Sequence, residues 1–418
     1  RAGQGPIGRK KGFDVHGGAM VRRENASSEL LLLLDVINRP GPRRGGRCWT
    51  PGQKKGQPPD GRIHNPGSIP AREAPQTSRR LTMIYCGIDL ASKASAVCIM
   101  DEAGKIRAEF QMPTDEDGFR TRLGEAEAMH CVLEASPLAE WAAQMLESLG
   151  HSVQVVDPRR AKAVIRTKRK TDQIDARNLA NMARTGWYNA VHRKSEQARL
   201  MRTLLKARQG LLKVAGAQRN RVLGLLRAHG IKVSGARGDA FESRVLQAVR
   251  ARAPELEILL EPLLKIGRQA KEEADNLTKR LEELVGQMPV CQRLMSVPGV
   301  GPIVAAAYVA TIDDPHRFES STQVGDYLGL VPSVYQSGDT EYRGRITKEG
   351  DAMLRWLLVE AATVLLGRVK RSCALQRWGR RLVAEKGAAK ARVAVARKLS
   401  VLLHRLWVTG ESFDWARA

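Results

Sequence analysis

Short apolar runs separated by polar turns dominate the first patterned part of the chain. Residues 84–89, 95–100 and 106–112 each form a run that predicts a strand, and the turn-forming residues 101–104 lie between the second and third runs. This pattern predicts a three-stranded antiparallel meander at the start of a domain.

Helical spacing of apolar residues then alternates with further strands. The pattern predicts, in order, a helix over 115–128, a strand over 129–133, a helix over 137–149, a strand over 153–156 and another helix from Pro158. A meander followed by alternating helices and strands is the order of an α/β ribonuclease-H-like, or RuvC-like, fold. In that fold the first and fourth strands lie side by side, so Asp89 and Glu134, which end these runs, would come together.

The second half of the chain has the pattern of helices. Leucines recur at helical spacing through residues 194–288, with a break at 230–238, which predicts an antiparallel helical pair or coiled coil. A plain helical core bundle is the alternative. Residues 290–410 predict a mainly α C-terminal domain, in which Pro298 and Gly299 open a tight turn between two helices. That turn either binds a phosphate through its backbone amides or only joins the helices.

The charge balance indicates a polyanionic partner. The chain has 69 Lys and Arg residues against 44 Asp and Glu residues, a formal net charge of +25, and nucleic acid is the leading candidate. The longest apolar stretches are too short to span a membrane, so we expect no membrane partner. Six cysteines lie far apart without a Cys-x-x-Cys pair, which indicates neither a zinc site nor a disulfide framework and suits a reducing cytoplasm.

Residues 1–82 differ in composition from the rest. They are rich in Gly, Pro, Arg and Ser and have no sustained apolar periodicity, which predicts a disordered basic extension. Met83 stands directly before the first strand, and we expect it to be the natural start, with residues 1–82 read from upstream DNA. A real basic arm that binds nucleic acid is the alternative.

Four carboxylates suggest the chemistry. Asp89 and Glu134 end predicted strands, while Asp172 and Asp175, three residues apart, lie on one face of a helical turn. Carboxylates brought close together repel one another unless a cation neutralises them, and oxygen ligands suit Mg²⁺ or Mn²⁺. We therefore predict a divalent-metal site for phosphodiester chemistry. Asp172 alone also suits an ordinary first helical turn. The basic residues before it, Lys168, Arg169 and Lys170, are candidates for binding nucleic acid, as are Arg345 and Lys348.

These residues resemble a known family. The segments 87–91, 133–136 and 171–177 are similar to the DEDD motif of the IS110 family of insertion-sequence transposases, and the similarity extends from Met83 to about Trp407. The resemblance implies a recombinase domain at 83–190, a dimerising helical segment at 194–288 and a C-terminal transposase domain at 290–410. It also implies a homo-oligomer, a dimer or tetramer, that acts on donor and target DNA in the bacterial nucleoid, guided by a bridge RNA.

The resemblance also implies a nucleophile. Ser337 matches the family's serine before glycine that attacks the scissile phosphate, forming a composite site with the acidic residues across subunits. Arg345 and Lys348, which follow in the sequence, could stabilise the negative charge that develops on the phosphate. Ser333 is a second serine in the same segment and is a decoy, in the sense that it could be mistaken for the nucleophile. This sequence departs from the family's pattern beside Ser337, because Gln336 and Asp339 stand where relatives carry Ser and Gly.

The sequence leaves two other functions open. A metal-dependent, structure-specific endonuclease of the Holliday-junction resolvase type needs the carboxylates but not Ser337. A non-enzymatic RNA-binding remnant of a transposon needs neither.

Overall fold

A computed structural model of the chain describes residues 83–157, 171–233, 240–337 and 340–416. The predicted extension at 1–82, the helix expected from Pro158, and the basic residues Lys168, Arg169 and Lys170 lie outside the described residues. The described chain divides into two compact units, residues 83–193 and residues 194–416. Within the described residues, no helix is long and apolar enough to cross a bilayer.

The first unit is built on a five-stranded mixed sheet. Its strands are β1 (Ile84–Asp89), β2 (Ala94–Met100), β3 (Ile106–Pro113), β4 (Met129–Glu134) and β5 (Ser152–Val156), in the order β3-β2-β1-β4-β5. β1, β2 and β3 form the predicted antiparallel meander, and β4 lies parallel to both β1 and β5. The predicted adjacency of the first and fourth strands is therefore confirmed.

Helices cover both faces of this sheet. The helices α1 (Glu116–Leu123) and α2 (Ala139–Ser148) pack on the face formed by Ile84, Cys86 and Ile88. The helix α3 (Asp172–Thr185) packs on the opposite face. Because both faces are covered, β1 and β4 are apolar at nearly every position and do not alternate with polar residues.

The second unit begins with the expected antiparallel helical pair. The helices α4 (Glu196–Ala228) and α6 (Leu256–Gly286) flank a shorter helix, α5 (Ala240–Arg250). Met201 near the start of α4 packs with Leu284 near the end of α6, and Leu226 at the other end packs with Leu256. The helix α5 falls just after the predicted break, where Val245 and Val249 contribute to the same core.

The rest of this unit is mainly helical, as expected. It contains α7 (Pro289–Met295), α8 (Pro302–Ile312), α9 (Gln323–Tyr327), the hairpin strands β6 (Pro332–Ser337) and β7 (Thr340–Ile346), α10 (Ala352–Gly367), α11 (Ala374–Lys386) and α12 (Ala388–Thr409). The ends of the long helical pair share one hydrophobic core with these elements. Residues 194–288 and 290–410, predicted as separate regions, therefore form one compact unit in this chain.

The tight turn before α8 has a packing role. Gly299 adopts φ of 91°, a left-handed conformation that favours glycine. A Cβ atom there would lie 2.5 Å from the carbonyl oxygen of Ala361. The glycine therefore allows the turn to lie directly against the backbone of α10, which accounts for it without a phosphate.

Candidate active site

The register of the two central strands brings the first two carboxylates to one edge of the sheet. β1 and β4 run parallel, with Ile88 opposite Leu133. Asp89 and Glu134 are the next residues and end their strands. Parallel strands end at the same edge of a sheet, so these two acidic residues lie next to each other there.

A glycine decides how closely α3 approaches this edge. A Cβ atom at Gly87 would lie 2.1 Å from the backbone nitrogen of Ala180 and 2.2 Å from the carbonyl oxygen of Ala176. The backbone of α3 therefore lies directly against β1. Residues two apart in a strand share a face, which puts Asp89 on the face that α3 covers. Sequence reasoning missed the role of Gly87, although a glycine inside a strand is a known sign of close backbone approach.

A contact near the C-terminal end of α3 shows in which direction the helix runs along the sheet. A Cβ atom at Gly104 would lie 3.2 Å from Nε of Arg184, near the end of α3. Gly104 lies just after β2, whose last residue, Met100, is opposite Tyr85 at the start of β1. The helix therefore runs antiparallel to β1, and its first turn, with Asp172 and Asp175, points towards the edge that holds Asp89 and Glu134.

An ion pair holds α3 to the outer strand of the meander. The Nη2 of Arg177 donates to Oε2 of Glu109 at 2.7 Å, and Nε donates to Oε1 of the same carboxylate. The hydrogen bond from Arg177 lowers the pKa of Glu109. Burial, with a smaller contribution from Glu109, raises the pKa of the neighbouring Cys98 thiol to about 12. A bidentate arginine pair has fixed geometry, so it limits sliding of the helix over the sheet.

The first turn of α3 is also a well-formed helix start. The side chain of Thr171 caps the helix by accepting a hydrogen bond from the backbone nitrogen of Ile174 at 3.3 Å. Asp172 and Asp175 in the first turn interact favourably with the helix dipole. The same two residues can therefore stabilise the helix and be available to a cation.

The four carboxylates suit a divalent cation in their chemistry. Their oxygen atoms are the ligands that Mg²⁺ and Mn²⁺ prefer, and all four residues are brought to one edge of one sheet face. Among the residues that the structure describes, however, no three His, Cys, Asp or Glu side chains converge closely enough to hold a metal ion. The carboxylate side chains would have to turn towards one another on this support to share a cation.

The second candidate region is the hairpin of β6 and β7. Ser337 is the last residue of β6 and pairs with Thr340 in β7. Aromatic and β-branched residues such as Val334, Tyr335 and Tyr342 favour strands, which explains why a hairpin forms within a region predicted to be mainly α. Residues 338–339 at the tip lie outside the described chain.

The base of the hairpin is closed by backbone contacts. The nitrogen of Thr347 donates to the carbonyl of Val331 at 2.9 Å, and that of Lys348 donates to Gly329 at 3.1 Å. Lys348 has φ of 59°, which is uncommon for a residue with a side chain. The side chains of Lys348 and Arg345 are both exposed, so they are accessible to an anionic ligand.

The decoy Ser333 has a structural contact. Its Oγ donates to the carbonyl oxygen of Arg345 at 3.1 Å, across the two strands. A Cβ atom at Gly344 would lie 2.4 Å from that Oγ. Ser333 therefore ties the base of the hairpin together, a role that needs no reaction.

Family models match both candidate regions. A model of the "Transposase IS116/IS110/IS902 family" matches residues 291–378, which include the hairpin. A second transposase model, of the DEDD type of IS110 elements, matches residues 86–231, which include the four carboxylates.

Curated proteins show the same similarity over most of the chain. The "Transposase for insertion sequence element IS1111A" of Coxiella burnetii is 28% identical over 78% of this chain and 90% of its own length. A "Probable family 20 transposase" of Pseudomonas aeruginosa is 29% identical over 77% of this chain and 95% of its own length. The "Putative transposase y4pF/y4sB" of Sinorhizobium fredii is 30% identical, over 68% and 74% respectively.

Proposed function

Because the chain belongs to the IS116/IS110/IS902 family of transposases, which are enzymes of DNA transposition, we propose that it excises and inserts its element through a serine-DNA intermediate. Its DEDD-type domain implies the use of a divalent metal. The observation that carries the proposal is the parallel register of β1 and β4, in which Ile88 pairs with Leu133, so that Asp89 and Glu134 follow at one edge of the sheet, towards the first turn of α3.

In this proposal the carboxylates bind the metal. Asp89, Glu134, Asp172 and Asp175 would hold Mg²⁺ or Mn²⁺. A bound cation of this kind polarises a scissile phosphate and stabilises the leaving oxygen. The contribution of the chain is to fix the two strand ends and the helix start on one rigid support, because sites built on strands and helices are more precise than sites on loops.

The nucleophile in this proposal is Ser337. Its Oγ forms a bond to phosphorus, the bond from phosphorus to the leaving ester oxygen breaks, and the serine proton passes to solvent while the leaving oxygen is protonated. Attack by a hydroxyl of another DNA strand then reverses the step and joins the strands. Arg345 and Lys348 would offset the charge that develops on the phosphate.

Sequence recognition is assigned to a bridge RNA. The net charge of +25 supports binding of polyanions by contacts to their backbone, and the family resemblance supports a guide. Donor DNA, target DNA and a homo-oligomer of the chain complete the assembly. Sequencing of RNA that copurifies with the protein tests this step. A discrete noncoding RNA from the flanking element is expected, and its absence would count against a guided reaction.

The serine step can be tested on the purified protein. A labelled DNA duplex carrying the element junction is incubated with the protein, MgCl₂ and the copurified RNA, and covalent adducts are resolved in denaturing gels. We expect Ser337→Ala to lose the adduct. Ser333→Ala is the matched control and should retain it, because its hydroxyl only bridges the two strands.

The main alternative is a metal-dependent endonuclease without a covalent intermediate. It is favoured by the same DEDD match and by carboxylates that could activate water. If Ser337→Ala keeps strand cleavage and the wild-type protein forms no adduct, the endonuclease is correct and the serine mechanism is wrong.

A further inference from the structure

Two tyrosines lie opposite each other on the exposed hairpin. Tyr335 in β6 pairs directly with Tyr342 in β7. Their exposed fractions are 69% and 65%. Residues directly opposite in an antiparallel pair lie on the same face with Cβ atoms about 5 Å apart. The hairpin therefore presents two neighbouring aromatic rings to solvent.

The contacts of these two rings differ from those of the other tyrosines. Within the part of the chain that the structure describes, neither ring contacts the other or another aromatic ring, and neither hydroxyl makes a hydrogen bond. The remaining four of the six tyrosines each have such a contact: Tyr85 and Tyr188 with His130, Tyr308 with Ser400 and Tyr327 with Phe318. Internal packing therefore does not explain the exposed pair.

The position of the pair relative to Ser337 suggests its ligand. Tyr335 and Ser337 are two residues apart in one strand, so their Cα atoms are separated by about 7 Å. A phosphate within bonding distance of Ser337 would bring the adjoining nucleotides to the rings. Bases stack on aromatic side chains regardless of sequence. Nucleic acid is the favoured occupant, because the chain has a net charge of +25.

We propose that Tyr335 and Tyr342 form a stacking platform for unpaired bases that flank the scissile phosphate. The platform would hold the strand in the register that presents one phosphate to Ser337, so this inference rests on the proposed function of that serine. It also predicts that the enzyme prefers a melted or unstacked cleavage site, because paired and stacked bases cannot reach the rings.

The test uses binding without reaction. Full-length protein carrying Ser337→Ala is titrated into single-stranded DNA with 2-aminopurine next to the cleavage position. Stacking on tyrosine should quench the fluorescence. Adding Tyr335→Ala or Tyr342→Ala should weaken binding about tenfold and reduce the quenching. Tyr335→Phe keeps the ring and should behave like its parent.

The neighbouring Val334 provides a matched control. It is 55% exposed and lies one residue from Tyr335, which places it on the other face of the hairpin. Val334→Ala should leave binding and quenching unchanged. Because all three side chains are exposed, the variants should also keep the parent melting temperature. Parental binding and quenching by both alanine variants of the tyrosines would overturn the proposal.

Two further outcomes separate this inference from the function it rests on. Quenching that depends on the tyrosines, together with an adduct that survives Ser337→Ala, would support the platform and refute the nucleophile. If the tyrosine variants change the sedimentation mass of the protein but not DNA binding, the pair is a contact between subunits and the platform is overturned.

Discussion

The two strands that end in the proposed reactive residues have very different surroundings. β1, which ends at Asp89, is paired on both sides, by β2 and β4, and its Ile88 is fully buried. β6, which ends at Ser337, is paired with β7 alone in a two-stranded sheet, and its Val334 and Tyr335 are mostly exposed. The first strand is part of a core, whereas the second lies on a surface.

This difference concerns how each reactive residue is positioned. A strand buried between helices moves only if many contacts break, while an isolated two-stranded hairpin is marginally stable in water. The fold itself therefore sets the positions of Asp89 and Glu134. The position of Ser337 depends more on what the hairpin binds, and the proposed contact of Tyr335 with DNA bases would stabilise it.

The largest expected effect tests the chemistry of the rigid edge. Asp89→Asn should lower metal-dependent DNA cleavage by roughly a thousandfold, about 4 kcal/mol in activation free energy, because an amide replaces an anionic metal ligand. The melting temperature should stay near that of the wild type. Gel assays in MgCl₂ measure the rate of DNA cleavage, and circular dichroism measures the melting temperature. The exposed Asp117 of α1 supplies the control Asp117→Asn. Cleavage above a tenth of the wild-type rate would contradict a metal role for Asp89.

The next effect tests whether the edge depends on tight packing. Gly87→Ala would place a methyl group 2.1 Å from the backbone nitrogen of Ala180, and the required shift of α3 should cost about 3 kcal/mol. Urea unfolding measures the loss. Gly210→Ala in α4 is the matched control, since its added Cβ meets nothing within 4 Å. That change should stabilise the protein by about 0.5–1 kcal/mol. Equal stability of Gly87→Ala and wild type would mean that α3 is not held as closely as its contacts indicate.

The strands of the five-stranded sheet could be predicted from the sequence, but the close packing of α3 on that sheet and the hairpin of β6 and β7 could not. Apolar runs of strand length predicted β1 to β5, because strand patterning is local. The order of strands and helices along the chain predicted the meander and the adjacency of β1 and β4, but not the place of β5. The close approach of α3 at Gly87 depends on a contact between residues about 90 positions apart, which no local pattern contains. The strand β6 was missed because its apolar residues Val334 and Tyr335 are adjacent, lie on opposite faces and are both exposed, so no alternation of apolar and polar residues marks it. Family resemblance, and not periodicity, is the basis for proposing Ser337 as the nucleophile.

A smaller effect concerns how the hairpin unit is anchored. Nη2 of Arg202 in α4 donates to Oδ2 of Asp351 at 2.6 Å, with both side chains largely buried. Asp351 also caps α10 by accepting from the nitrogen of Leu354 at 2.7 Å. Arg202→Met should cost about 2 kcal/mol in urea unfolding, because it leaves a partly buried carboxylate without its cation.

The exposed pair of Arg250 and Glu257 provides the comparison for this anchor. Its side chains are 63% and 33% exposed, so Arg250→Met should cost much less stability than Arg202→Met, because solvent screens an exposed ion pair. If both arginine variants lose the same stability, burial does not set the strength of the anchor. A larger loss for Arg202→Met would mean that burial strengthens the anchor between α4 and the start of α10.

The smallest expected effect is a pH dependence in the same unit. Lys194 donates from Nζ to the carbonyl oxygen of Thr311 at 2.6 Å. Burial, reinforced by Arg317 and Arg202 and opposed by Asp313 and Asp351, lowers its pKa to about 8. Below that pH the folded protein carries a disfavoured charge. Between about 8 and the ordinary lysine value of 10.5, the unfolded chain binds more protons than the folded one, so stability should rise with pH.

Urea midpoints at pH 7, 8 and 9 measure this rise, and Lys194→Met should flatten it. Buried thiols act in the opposite direction, because burial raises the pKa of Cys98 and of Cys291 to about 12, and the unfolded chain loses those protons first. Both proteins contain these thiols, so the difference between their pH profiles isolates Lys194. Parallel profiles for wild type and Lys194→Met would show that the ammonium group is solvated in the folded protein. The helical unit would then be looser near Lys194 than its contacts indicate, and the contrast with the rigid sheet would extend beyond the hairpin.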